Sequence, residues 1–542
     1  MTDLELGREV SSGIRRDTVL VTLCTLLSRV TGFGKVVALA AVLGVGVLGD
    51  VYQTANMIPN LLFELVAGGV LQAVLMPAFV AARRDGGNAA LGQATQAATG
   101  AVIGALGLVA VGGVMLAPLL ARVLVVAEPS SAVASSKIDL IVPMTLVFVP
   151  QLVFYGIATV TSAALNAKGR YVAAALAPAV NNVVVIVACV AFRAARDGEA
   201  ASLDLTKVQF VTIAGGTTLG VIAFSLTPAL VLRSAGVRWW PRWDPRHSAV
   251  VAMRRSFGWA TLSIVGTLVP TAAAIALGNG APGGVAVFFY VFAYYVLPHS
   301  LIAVTIATTL APRVAERWQA GDVAEVRATV DNAMRVALPL LALAGAGMVA
   351  LAWPVTRLVA GVCQTSSQGL APLAHTLIAF GPGLLGYGVA FVMTRVLFAL
   401  GDIRRASVLM IAGAVVGVAT MAVASIVMPA SDRAAALALG YGAAQTVAAG
   451  LLTVRVHALT GAMSGRFVAR VGAEAATAAA AATLVMTRIV ATFGHSRRAA
   501  LLALLAAGSL GVATFAAALV LLRRIGLRGR GDRGSGIPDQ AG

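Results

Sequence analysis

Residues 26–40 read LLSRVTGFGKVVALA, an apolar stretch with Arg29 and Lys35 inside it. It is the middle of a run between Asp17 and Asp50 that carries no other charge. That run exceeds the about 20 apolar residues that cross a bilayer as a helix. As a span it holds two cations at membrane depth, each at a cost on the order of 2.5–3.5 kcal/mol on insertion scales. Such charges require either a function or a partner.

The whole chain has the character of this stretch. Of its 542 residues 59% are hydrophobic and 11% charged, with a mean hydropathy of +0.90. A soluble domain carries about 25% charged residues, so the class is an integral membrane protein. Apolar segments fill nearly the whole length, which favours one large intramembrane unit without a separate catalytic domain. Cys24, Cys189 and Cys363 are scattered, which excludes a disulfide framework or a CxxC metal site and leaves them as packing residues. The polar N terminus, residues 1–16, lacks an A-x-A cleavage site and is expected to be a cytoplasmic tail. Residues 523–542, RRIGLRGRGDRGSGIPDQAG, are expected to be a disordered basic tail.

Fourteen spans are expected, at 18–46, 51–82, 91–121, 139–166, 172–192, 208–232, 257–278, 284–311, 334–360, 372–399, 404–428, 434–454, 472–493 and 500–522. Several are long and contain Gly or Pro, so bent or tilted helices are expected. With both termini inside, most of the 40 Lys and Arg fall on inner loops and tails, as the positive-inside rule requires. The formal charge of +18 then reflects topology and anionic lipid, and the spread of basic residues over alternate loops argues against nucleic acid.

An internal repeat shows what kind of machine this is. Residues 148–169, FVPQLVFYGIATVTSAALNAKG, align without a gap to 380–401, FGPGLLGYGVAFVMTRVLFALG, with 10 of 22 positions identical. Pro150 and Pro382, and the pairs Tyr155-Gly156 and Tyr387-Gly388, fall in register. A second echo pairs Leu75–Pro77 and Val80–Arg83 with Leu310–Pro312 and Val314–Arg317. The offset spans six helices, an even number, so the copies enter the membrane in the same direction. The expected organisation is an N-lobe at 17–235, a cytoplasmic linker at 236–256, a C-lobe at 257–456 and two appended spans at 457–522. Parallel repeats of this kind are an arrangement that transporters use, with alternating access between the halves.

Charged and broken positions are the candidate working parts. Gly32 and Gly34 lie between Arg29 and Lys35 and permit a bend that turns both cations towards one cavity, a surface suited to an anionic substrate. The alternative is that Glu64 neutralises one cation while Lys35 snorkels to an interface. Asp50 opens span 2, as a cap of its own helix or as a site residue. Arg395, in span 10, faces a cavity or snorkels towards Asp402. Pro59-Asn60 and Pro298-His299 are expected to interrupt spans 2 and 8, where gating would sit, and His299 is read first as a packing residue. Enzyme chemistry lacks its acidic pairs and His clusters, and no GxxxxGK[ST] phosphate loop is present. No cofactor or metal is expected.

Residues 28–77, SRVTGFGKVVALAAVLGVGVLGDVYQTANMIPNLLFELVAGGVLQAVLMP, resemble the N-terminal signature of the MurJ (MviN) family, lipid II flippases of the MOP exporter superfamily. Residues 297–317, LPHSLIAVTIATTLAPRVAER, resemble that family's eighth span. The resemblance implies an all-α polytopic fold and an undecaprenyl-pyrophosphate-linked peptidoglycan precursor as substrate, moved from inner to outer leaflet of the bacterial cytoplasmic membrane. It implies that Arg29 and Lys35 hold the pyrophosphate and that spans 13 and 14 supply a groove for the prenyl tail. Membrane lipids and cell-wall synthesis proteins are the further partners it implies. Lys35 stands where the family usually has an arginine, Phe63-Glu64 where many members have a basic pair, and Ala293 where many carry an arginine. A related exporter of another polyprenyl-linked glycan or of small molecules, and a non-transporting scaffold of wall synthesis, are the alternatives open at this point.

Overall fold

The computed structural model describes residues 3–67, 70–197, 202–363, 370–494 and 496–531, with the side chains of 3–18, 67, 70–73, 255–263, 360–363 and 525–531 excepted. The Cys363 side chain, the loop at 198–201 and the end of the expected basic tail, 532–542, lie outside the described residues. The described part is helical throughout. Twelve segments are long and apolar enough to cross a membrane, and a shorter apolar helix covers 264–278. Each of the fourteen expected spans falls on helix.

By internal contacts the chain forms two compact units, 1–290 and 291–542. The first contains α1 (Asp3–Leu43), α2 (Val47–Ala67), α3 (Val70–Met115), α4 (Ala117–Leu124), α5 (Ser131–Phe148), α6 (Gln151–Ala167), α7 (Val172–Ala194), α8 (Lys207–Phe210), α9 (Gly216–Ser234), α10 (Ser248–Gly278) and the first residues of α11 (Gly284–His299). The expected N-terminal tail is thus the beginning of α1. Within this unit α1 packs on α7, α3 on α6, and α7 and α6 on α9, while α10 lies against α2, α3 and α4. That last packing draws the end of α10 and the start of α11 into the first unit. The stretch α3 is two helices joined at the non-helical Gly86 and Gly87, the latter with φ +62°, between the expected spans 51–82 and 91–121. Span 4 breaks between α5 and α6 at Val149-Pro150.

The second unit holds the rest of α11, a π-helical turn at Ser300–Val304, α12 (Thr305–Gln319), α13 (Val323–Ala350), α14 (Ala352–Cys363), α15 (Leu370–Ala399), α16 (Ile403–Val427), α17 (Arg433–Thr460), α18 (Gly465–Thr492) and α19 (Arg497–Gly531). Here α15 packs on α13 and α17, and α17 on α16. The appended helices α18 and α19 pack on each other and on α13 and α14 through small side chains, with Ala346, Ala350, Ala478, Ala482 and Ala507 around Met486 and Phe515. Small residues of this kind let helices approach where lipid offers no hydrophobic driving force.

The repeat read from sequence has a structural signature. Both copies end in the same C-terminal motif: Gly169 and Gly401 are left-handed, at φ +76° and +82°. The Arg170 and Asp402 amides donate to Leu165 O and Leu397 O, each at 2.9 Å. The two Tyr-Gly pairs also do equivalent jobs. Gly156 on α6 meets Val102 and Leu106 of α3, and Gly388 on α15 meets Leu341 of α13.

In the second unit α15 approaches α17 closely. A Cβ on Gly386 would sit 2.6 Å from Thr446 Cα and 2.8 Å from its amide nitrogen, backbone that cannot rotate away, whereas one on Gly450 meets nothing within 4 Å. Gly386→Ala is expected to lower the unfolding temperature of the detergent-solubilised protein by several degrees, the scale of an overpacked core at about 1–3 kcal/mol. Gly450→Ala is expected to leave it within a degree, and circular dichroism melts check both.

Candidate functional site

The N terminus of α2 builds the most completely satisfied polar site in the first unit. Asp50, in the first turn, is fully buried, and its carboxylate accepts the amides of Gly283 at 2.7 Å, Ala286 at 2.8 Å and Val285 at 3.0 Å. These are among the N–H groups that the start of α11 cannot satisfy within its own helix, and the helix dipole adds to the attraction. The approach is close because both sides are glycine: a Cβ on Gly49 would sit 2.9 Å from Ala286 Cβ, and Gly283 lies at φ +81° against Val45 O. Asp50 therefore caps α11, a helix more than 230 residues away, and not the helix on which it stands. Every described hydrogen bond of the carboxylate goes to backbone.

The charge beside it is Lys137 of α5, also fully buried. Its ammonium donates to Asn279 O at 2.9 Å and pairs with Glu128 at 2.7 Å. The Asn279 amide donates in turn to Leu124 O at 2.9 Å, and to Thr54 Oγ1 and Ile275 O at 3.1 Å. One network thus fastens the ends of α2, α4, α5 and α10 together. Sequence reading missed Lys137 because span 4 was started at residue 139; the helix begins earlier, at Ser131, where the Ser130 hydroxyl accepts the Val133 amide.

On α1 the cations are free of carboxylates. Among the described residues no ion pair reaches Arg29, Lys35, Glu64 or Arg395. The alternative in which Glu64 neutralises a cation of α1 is therefore not what the fold builds, and Glu64 itself is exposed. Lys35 is half-buried, within electrostatic reach of the Cys189 thiol on α7. Arg29 is exposed, a quarter-turn or more around the helix from Ser28 and Thr31, which the Asn182 amide of α7 engages at 3.2 and 3.3 Å. Helix α1 runs through Gly32 and Gly34 without a break. Their lack of side chains serves close packing, since Cβ atoms there would lie 3.3 Å from Asn182 Nδ2 and 3.5 Å from Ile186 Cδ1.

The proline positions divide. Helix α2 continues through Pro59, and the Asn60 amide bonds back to Asn56 O at 2.6 Å, so the expected interruption of span 2 does not occur there. Span 8 is disturbed where expected, by the π-helical turn that follows Pro298 and His299. His299 is 2% exposed, stacked on Tyr387 at 3.7 Å and edge-on to Phe391 at 5.1 Å. Tyr295 stacks on Tyr387 at 5.3 Å, and Arg395 lies over Phe391 at 5.2 Å. Asp402 is occupied by Arg455, 2.6 Å away on α17, and so does not neutralise Arg395. In the first unit the equivalent tyrosine, Tyr155, is packed by Phe63 at 5.3 Å and Phe224 at 6.3 Å. Phe63 thus has an apolar task beside Tyr155.

Comparison with known proteins agrees with this architecture. The family described as lipid II flippase MurJ matches residues 39–522. A probable lipid II flippase MurJ of Rhizobium meliloti (strain 1021) is 25% identical over 386 residues, 70% of this chain and 69% of that protein. The lipid II flippase MurJ of Burkholderia cenocepacia is 26% identical over 395 residues, 70% of this chain and 72% of that protein. Among solved structures, a lipid II flippase MurJ in an inward closed conformation has a TM-score of 0.70 at 16% identity, covering 94% of this chain and 99% of that one. An inward-facing multidrug resistance MATE family transporter of the MOP superfamily has a TM-score of 0.62 at 14% identity, covering 82% and 99%.

The buried Lys137–Glu128 pair gives a direct test of the network. Lys137→Met strands a buried carboxylate and is expected to destabilise by about 3–5 kcal/mol. Lys137→Met with Glu128→Gln is expected to lose clearly less than the sum of the two single changes, as a double-mutant cycle of thermal or urea unfolding reads out.

Proposed function

The chain belongs to the lipid II flippase MurJ family, and on that premise we propose that it moves a polyprenyl-pyrophosphate-linked peptidoglycan precursor, lipid II, from the inner to the outer leaflet of the bacterial cytoplasmic membrane. It is a transporter and not an enzyme. The observation that carries the proposal is the pair of cations on α1, Arg29 and Lys35, which no described carboxylate pairs with inside an apolar helix. Cations left unpaired at membrane depth are stable only against water or an anion, and a pyrophosphate is the dianionic group that lipid II brings there. Arg29 offers a planar fork that grips phosphate oxygens in pairs; Lys35 offers a compact charge without that geometry.

In this reading both termini are cytoplasmic, the N-lobe is 17–235 and the C-lobe 257–456, joined by a cytoplasmic linker at 236–256. Arg395, considered within the C-lobe by itself, is also proposed as a substrate-binding cation. Helices α18 and α19, with their exposed Leu484, Leu501, Leu505 and Val512, supply apolar surface for the prenyl chain. Capping of α11 by Asp50 holds the outer ends of spans 2 and 8 together in one stage of the cycle, and the π-helical turn after Pro298 gives span 8 a place to flex.

Complementation of a bacterium conditionally depleted of its own flippase tests the proposal. The wild-type chain is expected to restore growth. Arg29→Ala is expected to reduce rescue at least tenfold in viable count at unchanged membrane abundance, and Lys35→Arg to retain what Lys35→Ala loses. Full rescue by Arg29→Ala contradicts the role given to this cation.

A further inference from the structure

The linker between α9 and α10 has more aromatic and basic character than a connection needs. Residues 238–246 read RWWPRWDPR. Half of the chain's six tryptophans are in this segment, and Trp240 and Trp243 are 72% and 71% exposed. Arg238, Arg242 and Arg246 are exposed alongside them.

The backbone that presents these side chains is held firmly. Its seat is a glycine-lined face of α3. A Cβ on Gly92 would lie 3.6 Å from the Arg238 amide, one on Gly100 2.6 Å from the Arg242 carbonyl carbon, and one on Gly104 2.8 Å from the Trp243 ring. The Arg242 amide donates to Gln96 O at 3.0 Å. The linker therefore lies along about three turns of α3, from Gly92 to Gly104. Rigid backbone with large side chains left exposed is the reverse of an ordinary surface loop.

The surroundings at this end of the unit are cationic too. Lys168 donates to Asn88 Oδ1 at 2.9 Å and to Ala235 O at 2.7 Å, at the residue where the linker leaves α9. Arg83 donates to Ala167 O at 2.7 Å. Desolvation, then the neighbouring Arg170 and Arg83 charges, hold the Lys168 ammonium below its usual range. The acid within the linker, Asp244, accepts the Arg246 amide at 3.2 Å.

We propose that residues 238–246 form a lipid-binding clamp, in which Trp240 and Trp243 enter the headgroup–acyl boundary while Arg238, Arg242 and Arg246 bind the phosphates of anionic phospholipids. Three considerations single out this occupant. The segment joins the ends of two membrane-embedded helices, which puts it at the depth where Trp is enriched. Its charge is complementary to an anionic leaflet. Trp and Arg side chains interleave every second or third residue, so apolar rings and cations are presented together, as an interface that is apolar on one side and phosphate-rich on the other requires.

The test reconstitutes the full-length protein into vesicles of phosphatidylcholine with increasing phosphatidylglycerol, either lipid carrying bromine on its acyl chains, and follows tryptophan quenching. Brominated phosphatidylglycerol is expected to quench at a mole fraction several-fold below that needed with brominated phosphatidylcholine. Trp240→Phe with Trp243→Phe is expected to remove most of that difference. The triple change Arg238→Gln, Arg242→Gln and Arg246→Gln is expected to shift half-quenching to at least tenfold more phosphatidylglycerol, given about fivefold for each basic residue near an anionic surface. Equal quenching by both lipids, or an unchanged curve for the triple variant, overturns the headgroup role. Quenching by aqueous iodide and not by either lipid overturns the proposal in favour of a water-facing surface for a soluble partner.

Discussion

A carboxylate buried against a helix end holds the first unit together. In a membrane no solvent is at hand to satisfy the free amides at the start of α11, and Asp50 accepts three of them at 2.7–3.0 Å. Burying that charge is tolerable because it is fully hydrogen-bonded and because Lys137, itself tied to Glu128 and Asn279, lies within its field. The same contacts explain why the compact units divide inside span 8, at Tyr290, after the linker has already crossed to α10.

Against this network the cations of α1 stand out. The fold supplies a buried partner for Lys137 and a carboxylate for Arg455, while among the described residues no ion pair reaches Arg29, Lys35 or Arg395. In the reading proposed above, Lys137 serves to hold the bundle while Arg29 and Lys35 receive an anion. Family membership gives that anion its identity, the pyrophosphate-linked precursor that lipid II flippases carry.

Much of the architecture was legible in the sequence. Apolar run length located the helices, and the register of Pro150 with Pro382 and of the two Tyr-Gly pairs exposed the repeat, because a tight turn and a close helix crossing tolerate few residue types. The left-handed Gly169 and Gly401 are the physical cause of that register. What escaped was either non-local or a matter of context. Nothing near Asp50 in sequence points to Gly283, and Lys137 sat just outside an apolar run drawn two residues too short. At Gly32, Gly34 and Pro59 the helices run unbroken: α7 packs on the glycines, and Asn60 bonds back to its own helix beside the proline.

The central claim is that α1 receives a pyrophosphate through Arg29 and Lys35. Its most direct test is the affinity of the purified protein, in lipid nanodiscs, for an undecaprenyl-pyrophosphate-linked glycan, compared with the same glycan lipid on a monophosphate. The account predicts a clear preference for the pyrophosphate that falls at least tenfold in Arg29→Ala with Lys35→Ala. An equal affinity of that double variant for both ligands and unchanged from wild type would contradict it.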